Sequence, residues 1–320
     1  MTFISVLIAL VIEQFRPLSL HNPVYALLDA AVCWLERHMN AGERRHGVYA
    51  WWVLIGSAVV VVAGVHILLL ALGWEFALVY SIAILYLTLG FRQFSHPFTE
   101  IQLALDAGQL NQARTTLAQW MVVTYPEFSA ERLSAGEVAR YAIERALMLS
   151  HRHVFGVFFW YLLFGPTGAV VYRLADYAAR TWEREAPGDF SGFSVTAWRW
   201  MDWIPVRLTG IGFAIVGNFE DAMYAWRNFA SRWRDPLAGI VLASGGGALG
   251  VRLGGGRDNP LEQTAMPVNA AALDAQAAFD AQPGVEVEPA HLRSAVGLVW
   301  RAMVLWLLLL LLISIAHWIG

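Results

Sequence analysis

The stretch VGLVWRAMVLWLLLLLLISIAHW, residues Val296–Trp318, contains an almost unbroken leucine run from Leu305 to Leu312. Its ionisable residues, Arg301 and His317, lie towards its two ends. The hydrocarbon core of a bilayer needs roughly 20 apolar residues when a helix crosses it. This stretch meets that length, so it predicts a C-terminal transmembrane helix and an integral membrane protein.

Two further apolar runs predict a transmembrane hairpin nearer the N-terminus. Ala50–Leu72 is rich in valine and leucine and carries only His66 as an ionisable residue. Gly73-Trp74-Glu75 then gives a tight turn, and Phe76–Phe91 returns as the next span. Because the connecting loop is so short, we expect the two helices to pair.

The remaining apolar runs leave the number of spans open. Val154–Tyr172 is long enough, but Gly165-Pro166 interrupts it, and such a break either kinks a span or turns a re-entrant one. Ile204–Val216 and the first helix are short, and at these lengths a re-entrant or core helix competes equally with a span. The sequence therefore predicts an all-α polytopic protein with four spans and two marginal ones.

The composition supports a membrane protein and excludes other classes. Of the 320 residues, 58% are hydrophobic and 15% are charged, against about 45–50% and about 25% in soluble proteins. Many of the 15 tryptophans flank apolar runs, where their rings would lie at the headgroup level. The net charge of −3 argues against nucleic acid as a partner. The single cysteine, Cys33, excludes an intramolecular disulfide and a cysteine-ligated metal site.

The placement of arginine predicts which segments are cytoplasmic. The loop Glu13–Tyr49 and the segment Arg92–Arg152 are both rich in arginine, and the predicted hairpin separates them. They therefore lie on one side, which the arginine excess marks as the cytoplasmic side of a bacterial inner membrane. If Val154–Tyr172 and Ile204–Val216 both cross, Asn218–Arg293 is cytoplasmic as well.

The two longest predicted cytoplasmic segments differ in character. Residues 92–153 have apolar residues at helical spacing, with Gly108 marking a turn between two helices. Ser134 followed by Glu137 is the pattern of a capping box, which predicts the start of another helix. Residues 254–289 mix Gly, Pro, Ala, Asn and Asp, and this composition predicts a flexible loop.

The glycine-rich stretch Ala243–Gly256 is the most unusual candidate site. Glycines let backbone N–H groups approach a phosphate closely, and Arg252 would add a fixed positive charge. The stretch matches neither a Walker A motif nor a G-x-G-x-x-G that opens a βαβ unit. A phosphate-binding nest and a glycine-rich turn packed against the membrane both remain open.

Ionisable residues beside the apolar runs are the other candidates. Glu144 lies shortly before His151 and His153, whose i, i+2 spacing places them on different helix faces, so we assign no metal site. Asp202 and Arg207 flank the start of the short apolar segment, where ionisable residues are costly and often functional. They either contact a substrate or form an ion pair that anchors the segment at the interface.

Four stretches of the sequence, some of which contain these candidates, resemble motifs of a known protein family. GALGVRLGG, residues 247–255, resembles a stretch of the CobD/CbiB family, the adenosylcobinamide-phosphate synthases. DWIPVRLT, residues 202–209, resembles that family's D-x-[IV]-P-x-R-L-T segment. Asn22-Pro-Val24 falls at its early H-P-V element, and Leu103–Leu117 resembles its A-L-x-x-G-D-L-x-x-A-R helix. The order and spacing match over nearly the whole chain.

The resemblance implies one membrane domain over residues 1–320, ending in the helix of residues 296–318, in a multi-pass protein of the inner membrane. The implied activity joins a carboxyl of the corrinoid adenosylcobyric acid to aminopropanol or its phosphate, with ATP and Mg²⁺. The implied partners are the lipid bilayer, a corrinoid and a nucleotide. The implied catalytic residues are Glu144, Asp202 and Arg207, and the implied nucleotide or corrinoid contacts are Gly245, Gly246, Gly247 and Arg252.

The chain departs from the family pattern at two polar elements. Where the family has S-P-N-x-G-x-P-E-A-A-M-A, this chain has the mostly apolar Gly239–Gly246, and of E-T-x-x-E-N-x-x-D it keeps only Glu144. Trp203–Trp226 and the C-terminal span also resemble AmpE, a membrane protein associated with β-lactamase induction. The alternative function is therefore a non-enzymatic accessory or signalling role at the inner membrane.

Overall fold

The computed structural model describes residues 2–15, 23–233, 235–254 and 282–319. Within these ranges the chain is almost entirely helical and forms no β-strand. An isolated bridge between Val251 and Val285 is its one extended pairing there. The predicted all-α class is therefore confirmed.

The helices of the described ranges are α1 (Thr2–Phe15), α2 (Pro23–Met39), α3 (Arg44–Leu72), α4 (Trp74–Thr88), α5 (Phe91–Asp106), α6 (Leu110–Val122), α7 (Ala135–Ser150), α8 (Gly156–Glu185), α9 (Asp189–Val216), α10 (Phe219–Phe229), α11 (Pro236–Leu249) and α12 (His291–Ile319). One π-helical turn, His151–Phe155, joins α7 to α8, and a short 3-10 turn, Ala230–Arg232, follows α10.

Three local predictions about helix ends are confirmed. Gly73 alone separates α3 from α4, as expected for a tight hairpin. Gly108 has a φ of 72° between α5 and α6, a conformation that favours glycine. The hydroxyl of Ser134 accepts from the N–H of Glu137 while the Glu137 carboxylate accepts from the N–H of Ser134, which completes the capping box of α7.

Four helical runs are long and apolar enough to cross a membrane: Arg44–Leu72, Trp74–Asp106, Ala135–Glu185 and His291–Ala316. They overlap the four spans that the sequence predicts, and the run Ala135–Glu185, which contains Val154–Tyr172, is interrupted inside that stretch. The marginal first helix, α1, is apolar but has only 14 residues. The other marginal segment forms the second half of α9, which is not among the four runs.

The run Ala135–Glu185 contains a sharp break. Phe164 and Gly165 leave helical geometry inside α8, and Gly165 adopts φ 59° and ψ −147°, a combination that only glycine takes readily. Pro166 follows directly, and it has no N–H to continue the helical hydrogen bonds. The break thus lies at the Gly165-Pro166 pair that the sequence marks.

The break reverses the chain instead of bending it slightly. A methyl group added at Gly168 would collide with the carbonyl of Trp160, and one added at Gly156 would collide with the phenol of Tyr172. In a straight helix, residues eight positions apart are separated by about 12 Å. The two arms of α8 therefore pack side by side as a helical hairpin, whose tip exposes the apolar side chain of Leu163. Of the two alternatives left open by the sequence, the structure has the re-entrant type of turn.

The described residues form two compact units. The first comprises the described residues within 1–92, 152–205 and 309–320. In it α1 packs on α4, while α2, α3 and α4 pack on α8. The fully buried Trp182 fixes one such contact, because its indole N–H donates to the carbonyl of Val32 at 3.1 Å. Tyr25 fixes another by donating to the carbonyl of Leu87 at 2.7 Å.

The second unit comprises the described residues within 93–151 and 206–308. Its centre is α11, which packs on α10 and α7, and α6 packs on α7 in turn. The core side chains Leu117, Met121, Ile143 and Leu147 are fully buried between these helices. This unit contains most of the residues that the sequence selects as candidates.

Candidate functional site

Glu144 is the best defined of the candidate residues. It lies on α7 and has no exposed surface. Its Oε1 accepts a hydrogen bond from the backbone N–H of Gly254, 110 positions later, at 2.7 Å. The guanidinium of Arg140, one turn earlier, lies 4.0 Å from the same oxygen and reduces the cost of burying the carboxylate. Glu144 therefore fixes the end of the glycine-rich stretch to α7.

Gly245, Gly246 and Gly247 lie inside α11 and are fully buried. The turn or nest predicted at these glycines is wrong, because backbone N–H groups in a helix interior are already bonded to carbonyls of the preceding turn. Their contact with a nucleotide or corrinoid remains a prediction.

The structure explains these glycines by close packing. A methyl group at Gly245 would lie 2.7 Å from Cδ1 of Leu147, and one at Gly247 would lie 2.7 Å from Cα of Ala222. Both distances are too short for real contacts, so α11 approaches α7 and α10 closely only because side chains are absent here.

Beyond α11 the chain turns and becomes extended. Gly250 ends the helix in the left-handed conformation with a φ of 70°. The N–H of Arg252 donates to the carbonyl of Val285 at 2.9 Å, and the N–H of Val285 donates to the carbonyl of Gly250 at 3.0 Å. With the Glu144 bond at Gly254, these contacts hold Arg252 between two anchored neighbours.

The bridge at Val285 lies in the final part of residues 254–289. Residues 282–289 contain the pairing with the end of α11, and the flexibility of the segment stays a prediction. Residues 255–281 of that predicted loop lie outside the described residues.

Asp202 and Arg207 both lie on α9 and differ in burial. Asp202 belongs to the first unit and is almost fully buried, and its Oδ1 accepts from the hydroxyl of Tyr172 at 2.9 Å. Arg207 belongs to the second unit and is partly exposed. Of the predicted site residues, the structure thus groups Glu144, the glycines and Arg252 through the contacts of α7 and α11.

Further polar residues lie in both units. In the second unit, His151, which the sequence analysis considered and did not select, is fully buried in the π-helical turn, and its Nδ1 lies 2.9 Å from the hydroxyl of Thr209. Such turns often occur at functional sites. In the first unit, the sequence analysis missed three residues that lie on one face of α8: Arg173, Asp176 and Arg180. Their i, i+3, i+7 spacing is the signal that could have found them.

Comparisons with known proteins give the family context. The family model described as CobD/Cbib protein matches residues 3–281. "Cobalamin biosynthesis protein CobD" of Stutzerimonas stutzeri is 32% identical over 285 residues, covering 87% of this chain and 86% of the relative. Its namesake in Chromobacterium violaceum is 34% identical over 181 residues, 56% of each chain, and that of Brucella suis is 25% identical over 317 residues, 92% of each. No solved structure matches the chain.

Proposed function

The chain belongs to the CobD/Cbib family, and from that premise we propose that it works in cobalamin biosynthesis as an amide-forming enzyme. The proposed substrates are a corrinoid that carries a free carboxyl and an amino alcohol or its phosphate. ATP is the proposed co-substrate that activates the carboxyl. The proposed location is the bacterial inner membrane.

The observation that carries this proposal is the hydrogen bond from Gly254 to Glu144. Glu144 is the residue that this chain retains from the family's E-T-x-x-E-N-x-x-D motif. Gly254 lies in the GALGVRLGG stretch, the second family motif that the chain retains. A buried carboxylate is costly unless it is paired, and this one joins the two retained motifs. The pairing supports a site at the end of α11.

Amide formation requires two things of the protein. The attacking amine must lose a proton as its nitrogen bonds to the carbonyl carbon, and negative charge on the carbonyl oxygen must be stabilised. We assign the proton to the Glu144 carboxylate, whose Oε1 is already oriented by Gly254. We assign the stabilising charge to Arg252, whose backbone is held by Val285. The leaving group on the activated carboxyl departs as the C–N bond forms.

The described residues fit only part of what a nucleotide and Mg²⁺ would need. A phosphate nest at Gly245–Gly247 does not fit, because these residues are helical. Among the described residues no group of three or more His, Cys, Asp or Glu is placed to hold a metal. The nucleotide contact proposed here is therefore the side chain of Arg252.

Complementation tests the proposed activity. This chain would be expressed in a bacterium that lacks its own adenosylcobinamide-phosphate synthase and supplied with cobyric acid. We expect growth that depends on cobalamin, loss of growth with Arg252→Ala, and normal growth with Arg227→Ala, an exposed arginine of α10. Absence of growth, with the protein present in the membrane fraction, would reject the enzymatic proposal.

One observation favours a second function. The segment that is polar in the synthases forms the buried, apolar helix α11 in this chain. A scaffold that keeps the fold but loses polar substrate contacts suits an accessory or signalling protein of the AmpE type. That alternative predicts a changed response to β-lactams on deletion in the native host, with cobalamin synthesis unaffected.

A further inference from the structure

The second half of α9, residues 206–216, exposes aliphatic side chains and buries polar ones. Leu208, Ile211 and Ile215 are exposed, and Ile215 keeps 56% of its surface. Their i, i+3, i+7 spacing places them on one face of the helix, which we call the outer face of α9. A surface helix of a water-soluble protein has the reverse arrangement, with its polar residues outside.

The opposite face of this half carries its polar contacts. Thr209 is buried, and its hydroxyl lies 2.9 Å from Nδ1 of His151. A methyl group added at Gly210 would lie 3.1 Å from the hydroxyl oxygen of Ser244, which is also fully buried. The polar groups are thus turned towards protein, as expected where the surroundings offer no hydrogen bonds.

Helix α12 gives the level of the outer face. Trp306 lies near the middle of the apolar stretch Val296–Trp318, in a run that is long and apolar enough to cross a membrane. Its Nε1 lies 3.7 Å from the position of a methyl group added at Gly212. Because Gly212 directly follows Ile211, the outer face lies beside the middle of that run.

The charge content of this half is compatible with lipid. Arg207 is its one ionisable residue, and it is partly exposed. A long arginine side chain can carry its charge away from the backbone towards the headgroups. Hydropathy averages over all faces of a helix, so the polar residues of the buried face lower the mean value for α9. This helix is accordingly not among the four apolar runs.

We propose that the second half of α9 is embedded in the bilayer, with Leu208, Ile211 and Ile215 against lipid acyl chains. Lipid contact along this face holds whether α9 crosses the bilayer or ends within it. The DWIPVRLT segment then ends inside the membrane, at Thr209. Its contact with His151 is shielded from water on the side of the outer face.

Nitroxide labels measure the surroundings of the outer face. A single cysteine would replace Ile211 or Ile215 in a Cys33→Ala background, and the labelled full chain would be placed in nanodiscs of phosphatidylethanolamine and phosphatidylglycerol. At both positions we expect strong relaxation by oxygen, which concentrates among acyl chains, and weak relaxation by a water-soluble nickel chelate. Leu308→Cys on α12 should behave in the same way, and the exposed Glu131→Cys should show the reverse.

Two outcomes would overturn the inference. Stronger relaxation by nickel than by oxygen at Ile211 and Ile215 would mean that the outer face contacts water. Weak relaxation by both reagents would mean that protein covers the face, and dipolar broadening between labels would identify that protein as a second copy of the chain.

A polar substitution gives an independent test. Ile211→Asn should lower the melting temperature in nanodiscs, because the amide finds no hydrogen-bond partner among acyl chains. Val122→Asn is the matched control, since Val122 is similarly exposed but lies on α6, in the segment predicted to be cytoplasmic. The control should melt close to the wild type. Equal melting temperatures of Ile211→Asn and Val122→Asn would contradict the lipid contact.

Discussion

The carboxylate of Glu144 and the backbone N–H of Gly254 form a buried hydrogen bond of 2.7 Å across 110 positions of sequence. The bond joins α7 to the extended segment that follows α11. Because Arg252 lies two residues before Gly254, the position of Arg252 depends on Glu144. Glu144 therefore contributes both to the stability of the fold and to the proposed activity. Different substitutions of Glu144 can distinguish these two contributions.

Glu144→Ala removes the acceptor of a buried N–H, which costs about 1–3 kcal/mol of unfolding free energy. Glu144→Gln keeps an acceptor oxygen and loses only the charge, so it should melt closer to the wild type yet fail to rescue cobalamin-dependent growth. Thermal melting of the purified protein and complementation measure the two effects, with the exposed Glu131→Gln as control. Wild-type rescue by Glu144→Gln would limit Glu144 to a structural role.

Gly247→Ala should destabilise the second unit strongly. Its new methyl group would lie 2.7 Å from the backbone of Ala222, which cannot move without shifting α10. Gly56→Ala is the matched control, since Gly56 is also helical but has no atom within 4 Å of the added methyl group. The control should be neutral or stabilising by up to about 1 kcal/mol. The membrane abundance and the melting temperature of each variant measure the effect. Equal values for Gly247→Ala and Gly56→Ala would contradict the close packing of α11.

The hairpin in α8 predicts that a single added methyl group is strongly destabilising. Gly168→Ala should lower the melting temperature, because its methyl group would collide with the backbone carbonyl of Trp160 on the other arm. Gly64→Ala is the matched control, since Gly64 lies in the uninterrupted helix α3 and has no atom within 4 Å of the added methyl group. Equal melting temperatures of the two variants would show that the two arms of α8 do not meet.

The single cysteine predicts a pH-dependent reactivity. Burial raises the pKa of the Cys33 thiol above its ordinary value, and the nearby carboxylates of Glu185 and Asp29 raise it further. Only the thiolate reacts, so labelling by maleimide near neutral pH should be slower than in denatured protein. Glu185→Gln lowers the pKa and should speed the labelling at a fixed pH. If the variant and the wild type react equally across the pH range, the carboxylate has no influence on the thiol.

Features that depend on neighbouring residues were predictable from the sequence. Gly73, Gly108 and the Ser134–Glu137 pair act within one turn of the chain, and each ends or starts a helix as expected. The apolar runs were equally clear because length and hydropathy are local properties. The same reasoning identified Glu144 through its motif, although its partner Gly254 was unknown.

Features that depend on distant contacts were not predictable. Glycines in a row permit either an open nest or a tightly packed helix, and the choice at Gly245–Gly247 is made by Leu147 and Asp221 on other helices. Likewise the pairing of Glu13 with the charges of α8 joins residues more than a hundred positions apart. The spacing along one helix shows that Arg173 and Asp176 lie on the same face. It does not show which other helices contact that face.

The reversal at Gly165 also changes how membrane crossings are counted. A run that turns back returns to the bilayer face from which it started, so the two arms of α8 together do not change the side on which the chain continues. The predicted cytoplasmic placement of Asn218–Arg293 then requires that α9 does not cross, whereas two single crossings would require that it does. The conformation of Gly165 thus decides which behaviour of α9 agrees with the distribution of arginine.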